Sequence, residues 1–85
     1  MKIQIDAHTL QRANERGASE DEILETLHDG INILAKSSRL GKSKVFKFDS
    51  LRSNKHFEEK KLEVYYLIEK EIIITVTVWF FCGKF

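Results

Sequence analysis

The chain has 85 residues, with 14 Lys or Arg against 13 Asp or Glu and a net charge of +1. This length indicates a single domain over residues 1–85, and the balance of 42% hydrophobic and 32% charged residues excludes a disordered segment. The single cysteine, Cys82, excludes an internal disulfide framework, and the sequence has neither a signal-peptide core nor an apolar run long enough to cross a bilayer, so we expect a cytoplasmic protein with no membrane partner.

The first third of the chain predicts a short strand and two helices. Residues 2–5 alternate between polar and apolar side chains, as in a strand. Asp6 is placed to cap a helix over 7–16, and Gly17 is placed to end it. A second helix over 19–28 opens with Ser-Glu-Asp-Glu, which is a capping box.

After Gly30 the apolar period changes from that of a helix to that of a strand. Strand candidates lie at 31–35, 45–48, 61–69 and 72–81, and polar loops lie at 36–43 and 49–55. Residues 69–71 predict a tight turn between the last two strands, which then form an antiparallel hairpin. The order β-α-α-β-β-β-β predicts an α+β fold in which two helices pack on one face of a mainly antiparallel sheet.

The final strand candidate is apolar on both faces, which predicts a central position in the sheet. Simple alternation places Thr75, Thr77 and Trp79 together on one of its faces. The presence of threonine and tryptophan at these positions is also explained by their preference for strands alone.

Charge is unevenly distributed along the chain. Residues 1–30 carry three basic and seven acidic groups, whereas residues 31–61 carry nine basic and three acidic groups. The basic block comprises Lys36, Arg39, Lys42, Lys44, Lys47, Arg52, Lys55, Lys60 and Lys61. Such a block attracts phosphates, although solvated lysines that protect a sheet edge explain it equally well.

His8, Arg12 and Arg16 are spaced by four residues and therefore share one face of the first helix. One interpretation is structural, with the arginines paired to nearby glutamates. The other is chemical, because histidine exchanges protons near neutral pH and arginine holds phosphate through two hydrogen bonds. No cofactor is indicated, and no metal site either, because the three histidines are widely scattered.

The run AHTLQRANERG over 7–17, followed by Ser-Glu-Asp-Glu-Ile, resembles the opening of a family of small bacterial domains. That family begins with a His-Ala-x-x-Arg-x-x-x-Arg-Gly-like helix; here the order of the first pair is Ala7-His8. The strands around 61–64 and 74–79 resemble its last two strands. The family is similar in fold to the RelE/ParE and BrnT toxins of toxin–antitoxin pairs, and the likeness covers nearly the whole chain.

The resemblance implies a toxin-like, metal-independent endoribonuclease. His8, Arg12, Arg16 and Thr77 match its motif and would form the catalytic group, with RNA, free or on the ribosome, as the substrate. In this hypothesis the RNA backbone follows four lysines of the basic block: Lys42, Lys44, Lys47 and Lys61. An antitoxin-like protein would be a further partner.

The alternative is a non-catalytic binding module on the same fold. A net charge of +1 is low for a nucleic-acid-binding domain. Apolar residues on both faces of the last hairpin also favour a protein partner or a homodimer. Such a module would bind nucleic acid or inhibit a protein target without cleaving RNA.

Overall fold

A computed structural model describes residues 2–52 and 54–85. Its elements are β1 (Lys2–Gln4), α1 (Ala7–Arg16), α2 (Glu20–Asp29), β2 (Ile31–Ile33), β3 (Leu40–Arg52), β4 (Lys55–Glu69) and β5 (Ile72–Gly83). The five strands form one sheet in the order β1-β5-β4-β3-β2. Among the described strand pairs, β1 and β5 run parallel and the other three pairs are antiparallel. The predicted α+β class and element order are therefore confirmed.

The helix ends follow from local hydrogen bonding. The Asp6 carboxylate accepts from the amide of Thr9 at the start of α1. At the end of α1, Gly17 adopts a φ of 104°, a left-handed conformation that glycine reaches without a steric penalty. Ser19 and Glu22 form the predicted capping box at the start of α2. The sequence signals placed these ends correctly because they act within a few residues.

The strands differ from the prediction in length. β2 ends at Ile33, two residues early. β3 starts at Leu40, inside the predicted 36–43 loop. Most of the predicted 49–55 turn belongs to strands, and Ser53 lies outside the described residues. Pairing of β3 with β4 holds these polar residues in strands despite their low strand propensity.

The turn between β4 and β5 lies where it was predicted. Lys70 and Glu71 have φ values of 49° and 66°. Two central residues with positive φ define the type I′ turn, whose twist matches that of the flanking strands. Neither residue is the usual glycine or asparagine, so the long hairpin imposes this geometry on them.

A bulge in β5 changes which residues share a face. Tyr65 pairs with Thr77, but the next residue, Tyr66, pairs with Thr75, so Val76 is an extra residue. Thr75 therefore lies on the helix-covered face, where it is 3% exposed and donates to the carbonyl of Gln4 at 3.3 Å. The prediction that Thr75 shares a face with Thr77 and Trp79 is wrong.

The position of β5 was predicted only in part. β1 pairs with β5 at residues 72–74 alone, and β4 is the most central strand. The outer edge of β5 after Ile74 therefore has no strand partner among the described residues, and α1 lies against β5 instead. This arrangement brings helix side chains to a strand edge.

The core lies between the helices and one face of the sheet. Its buried apolar residues are Ala13, Ala18, Ile23, Leu27, Leu62, Val64, Tyr66 and Val78. The opposite face, which we call the open face, has no helix over it among the described residues. No helix in the described part of the chain is long and apolar enough to cross a membrane.

Candidate functional site

Residues of α1 and β5 together line a pocket of about 160 Å³. His8, Arg12, Arg16 and Thr77 are among them, together with Thr9, Val76, Val78 and Trp79. The structure thus brings together all four residues that the sequence nominated as a catalytic group. The helical spacing presents His8 and both arginines on one face of α1, and the pairing of Thr77 with Tyr65 places Thr77 on the open face, away from the core.

Arg16 is the best-fixed member of this pocket. Its Nη1 donates a 3.0 Å hydrogen bond to the carbonyl oxygen of Val78. The guanidinium also lies 5.4 Å from the centre of the Trp79 ring, within the range of a cation–π contact. A guanidinium has five N–H donors, so the bond to Val78 leaves others for a ligand.

Neither arginine is neutralised by a carboxylate. Among residues 2–52 and 54–85, Arg12 and Arg16 take part in no ion pair, so the expected pairing with nearby glutamates is not found. His8 is exposed and makes no side-chain hydrogen bond within the described residues. Its imidazole is therefore accessible to a proton-transfer partner.

A second, larger cleft of about 390 Å³ adjoins the pocket on the open face. Thr77 and Trp79 line both, so the two form one continuous surface, which we call the Trp79 groove. Tyr65, residues 34–37 and Arg39 complete its lining. The loop makes a tight turn at Ser37 and Ser38, and this turn places Lys36 and Arg39 at the rim of the cleft.

The charge of the Trp79 groove departs from that of the whole chain. Its lining includes Arg12, Arg16, Lys36 and Arg39 but, among the described residues, no carboxylate. The other two surface clefts described for this chain contain acidic residues. The overall charge of +1 therefore conceals a strongly cationic groove.

Tyr65 forms part of the groove floor. Its hydroxyl donates to Glu63 Oε1 at 2.9 Å. Burial, with a smaller effect of the Glu63 carboxylate, raises the pKa of Tyr65, so the phenol stays neutral at physiological pH. Gly41 packs against the ring: a Cβ there would lie 3.1 Å from Tyr65 Cε1 and 2.9 Å from Ile33 Cγ1.

The four lysines nominated for RNA binding do not share one surface. Strand pairing places Lys42 and Lys44 opposite Val64 and Leu62, on the helix-covered face. Lys44 Nζ lies 2.8 Å from Glu25 Oε2, and its hydrogen bond with Glu25 raises the pKa of Lys44.

The other two lysines line neither part of the Trp79 groove. Lys47 lines a separate cleft together with several carboxylates. Lys61 lies between the rings of Phe81 and Phe85, at 5.2 and 5.0 Å from their centres. Among the described residues of the basic block, Lys36 and Arg39 are the two that line the groove. Their charge is evident from the sequence, but their position is not.

Within the described residues, no three His, Cys, Asp or Glu side chains are grouped so that they could hold a metal ion. Comparison with protein-family models, curated proteins and solved structures finds no match to this chain. The resemblance to the toxin-like family therefore stays a prediction.

Proposed function

We propose that this protein is a toxin-like endoribonuclease that cleaves RNA without a metal ion. The observation that carries the proposal is the meeting of His8 with two arginines that have no ion-pair partner, in a groove whose described lining includes four cations and no carboxylate. An anionic ligand suits this surface, and phosphate matches the guanidinium geometry. The resemblance in the 7–17 helix supports RNA, in the cytoplasm, as the source of that phosphate.

The chemistry assigned to the pocket is a transphosphorylation. Neutral His8 takes the proton of a ribose 2′-hydroxyl, and the resulting oxygen attacks the adjacent phosphorus. The bond to the 5′-oxygen breaks, which leaves a 2′,3′-cyclic phosphate on one product. Solvent protonates the leaving oxygen, because the described pocket contains one histidine and no carboxylate.

The remaining residues stabilise and position the phosphate. Arg12, exposed and unpaired, binds the scissile phosphate and stabilises its growing negative charge. Arg16, held by Val78, offers its remaining N–H donors from a fixed position. The Thr77 hydroxyl positions the substrate next to His8.

The test is RNA cleavage by the purified protein in the presence of a chelator, with His8→Ala alongside. We expect cyclic phosphate ends from the wild type and a rate at least about a hundredfold lower for His8→Ala, which is typical of a lost general base. Because His8 is exposed, the thermal midpoint should change little.

The matched control is His28→Ala. His28 is also exposed and helical, but it pairs with Asp29 away from the groove. The His28→Ala variant should cleave RNA like the wild type. Equal cleavage by wild type and His8→Ala would remove His8 from the mechanism, and no cleavage by any of the three would contradict the proposal, unless addition of ribosomes restored it.

A second candidate is a non-catalytic module that binds a protein partner, whether antitoxin-like or another copy of the chain. Large apolar side chains exposed on or beside the open face favour it: Leu34 is 98% exposed, Phe85 51% and Phe81 40%. Light scattering and co-purification test this candidate. A monomer that retains no partner at micromolar concentration would count against it.

A further inference from the structure

We propose that the open-face cleft of the Trp79 groove binds a nucleobase, so that the ligand is single-stranded RNA with one base stacked at Trp79 and Tyr65. This inference rests on the proposed function, since it extends the phosphate pocket into a longer binding site. It adds a substrate class and two residues that hold it.

The first argument is that the ring of Trp79 is left partly in water, which is unfavourable for a large apolar side chain. Trp79 is 48% exposed although it lies on the sheet of a small domain. Stacking on such rings is the usual way in which proteins hold single-stranded nucleic acid, because every base presents a flat π surface. A paired duplex could not offer its bases in this way.

The second argument is the relative position of the two rings. Glu63 pairs with Trp79 and Tyr65 pairs with Thr77, so Tyr65 and Trp79 are diagonal neighbours on adjacent strands. Diagonal side chains are separated by roughly 7–8 Å at Cα, within reach of one planar ligand. Both rings line the same cleft of about 390 Å³.

The third argument is the distribution of charge over the two parts of the Trp79 groove. Arg12 and Arg16 line the smaller pocket, Lys36 and Arg39 line the larger cleft, and Trp79 lines both. Consecutive phosphates flank each base of a nucleic-acid strand, so cations in both of the parts that share an aromatic ring match this pattern. A protein partner would need apolar contact there but not four uncompensated cations.

Trp79 is the only tryptophan in the sequence, so its fluorescence reports on this cleft directly. The probe is a short 2′-O-methyl oligoadenylate, which lacks the 2′-hydroxyl and cannot be cleaved by the proposed route. The comparison ligand is an abasic oligonucleotide of the same length. We expect the first to quench Trp79 strongly and the second, which carries only the phosphates, to leave its emission nearly unchanged.

Variants distinguish the contribution of the Tyr65 ring to binding from that of its hydroxyl and from that of positive charge in general. Tyr65→Ala should weaken binding of the oligoadenylate about tenfold, whereas Tyr65→Phe should bind like the wild type. Lys36→Ala should weaken binding and reduce its salt dependence. Lys84→Ala removes an exposed lysine remote from the groove and serves as the charge-matched control. Circular dichroism establishes that each variant is folded.

The outcomes distinguish this inference from the cleavage proposal. Base-dependent quenching without RNA cleavage, whether ribosomes are absent or present, would support the subsite and contradict the endoribonuclease. Cleavage without base-dependent quenching would overturn the subsite and leave the endoribonuclease intact. Equal quenching by the abasic strand would also overturn it, as would tight binding of a protein partner that quenches Trp79 where the oligoadenylate does not. The wild-type measurement decides the question even if Tyr65→Ala fails to fold.

Discussion

Lys60→Met tests how the helices that carry the site are attached to the sheet. Lys60 is 7% exposed on β4, and its Nζ donates to the carbonyl of Gly17 at 3.1 Å and to Glu22 Oε1 at 2.8 Å. It therefore connects the sheet to the α1–α2 turn and to the first turn of α2. Methionine keeps an apolar side chain of similar length but removes both bonds, together with the cation–π contacts that Nζ makes with the rings of Phe48 and Phe80 at 5.2 and 5.8 Å from their centres.

The magnitude follows from the two lost bonds. Hydrogen bonds to charged groups contribute roughly 1.5–3 kcal/mol each. The Glu22 side chain is 22% exposed and can regain water, which favours the lower end, so we expect a loss of about 3 kcal/mol. A domain of this size unfolds with roughly 4–13 kcal/mol. The thermal midpoint should fall by roughly 12–24 °C.

The pH dependence supplies a second readout. Burial tends to raise the pKa of Glu22, but hydrogen bonds from Lys60 and Ser19 outweigh it and leave this pKa below its usual value. A glutamate whose pKa is lower in the folded protein than in the unfolded chain stabilises the fold at a pH above the unfolded-state pKa, which is ~4.3. That stabilisation is lost as the pH falls through the folded-state pKa. The difference between wild type and Lys60→Met should therefore be largest near neutral pH and shrink below about pH 4.

Denaturant unfolding monitored by Trp79 fluorescence and circular dichroism measures these differences. Lys84→Met is the control, because Lys84 and Glu58 form an exposed pair that should contribute under ~1 kcal/mol. Adding Glu22→Gln to Lys60→Met should recover part of the loss by removing the unpaired charge. A Lys60→Met protein within about 0.5 kcal/mol of wild type at pH 7 would refute the reasoning.

Two further changes test the local geometry. Gly41→Ala should cost about 1–3 kcal/mol, since its Cβ would lie 2.9 Å from Ile33 Cγ1 and 3.1 Å from Tyr65 Cε1. By displacing the Tyr65 ring it should also weaken oligoadenylate binding, and unchanged stability in a thermal melt would contradict the close packing. Ser19→Ala should cost about 1 kcal/mol by removing the capping bond to the amide of Glu22 at 3.2 Å, and a urea titration showing no change would exclude that role.

Local signals predicted the helical half of the molecule well. Asp6, Gly17 and Ser19 set helix ends through bonds that span three or four residues. The same locality explains why His8, Arg12 and Arg16 could be assigned to one face, since helical spacing alone fixes it. The resemblance then added Thr77, which no local pattern distinguishes from Thr75.

The sheet half depended on pairing between distant residues. Strand β3 extends through Lys and Ser residues because β4 pairs with it, which no window of the sequence reveals. The extra residue Val76 puts Thr75 and Thr77 on opposite faces of the sheet, through a bulge that is defined only by the partner strand. The turn at Lys70 and Glu71 likewise takes its type from the hairpin.

The charge of the site shows most clearly which features follow from the sequence alone and which depend on the tertiary structure. The sequence determined that a basic block exists and that the helix face carries His8 and two arginines. The tertiary structure decided which cations matter there: it directed Lys44 to Glu25 and brought Lys36 and Arg39 to the rim of the Trp79 groove. The physical reason is that composition fixes the number of charges, whereas only long-range packing fixes which of them are neutralised and which face a ligand.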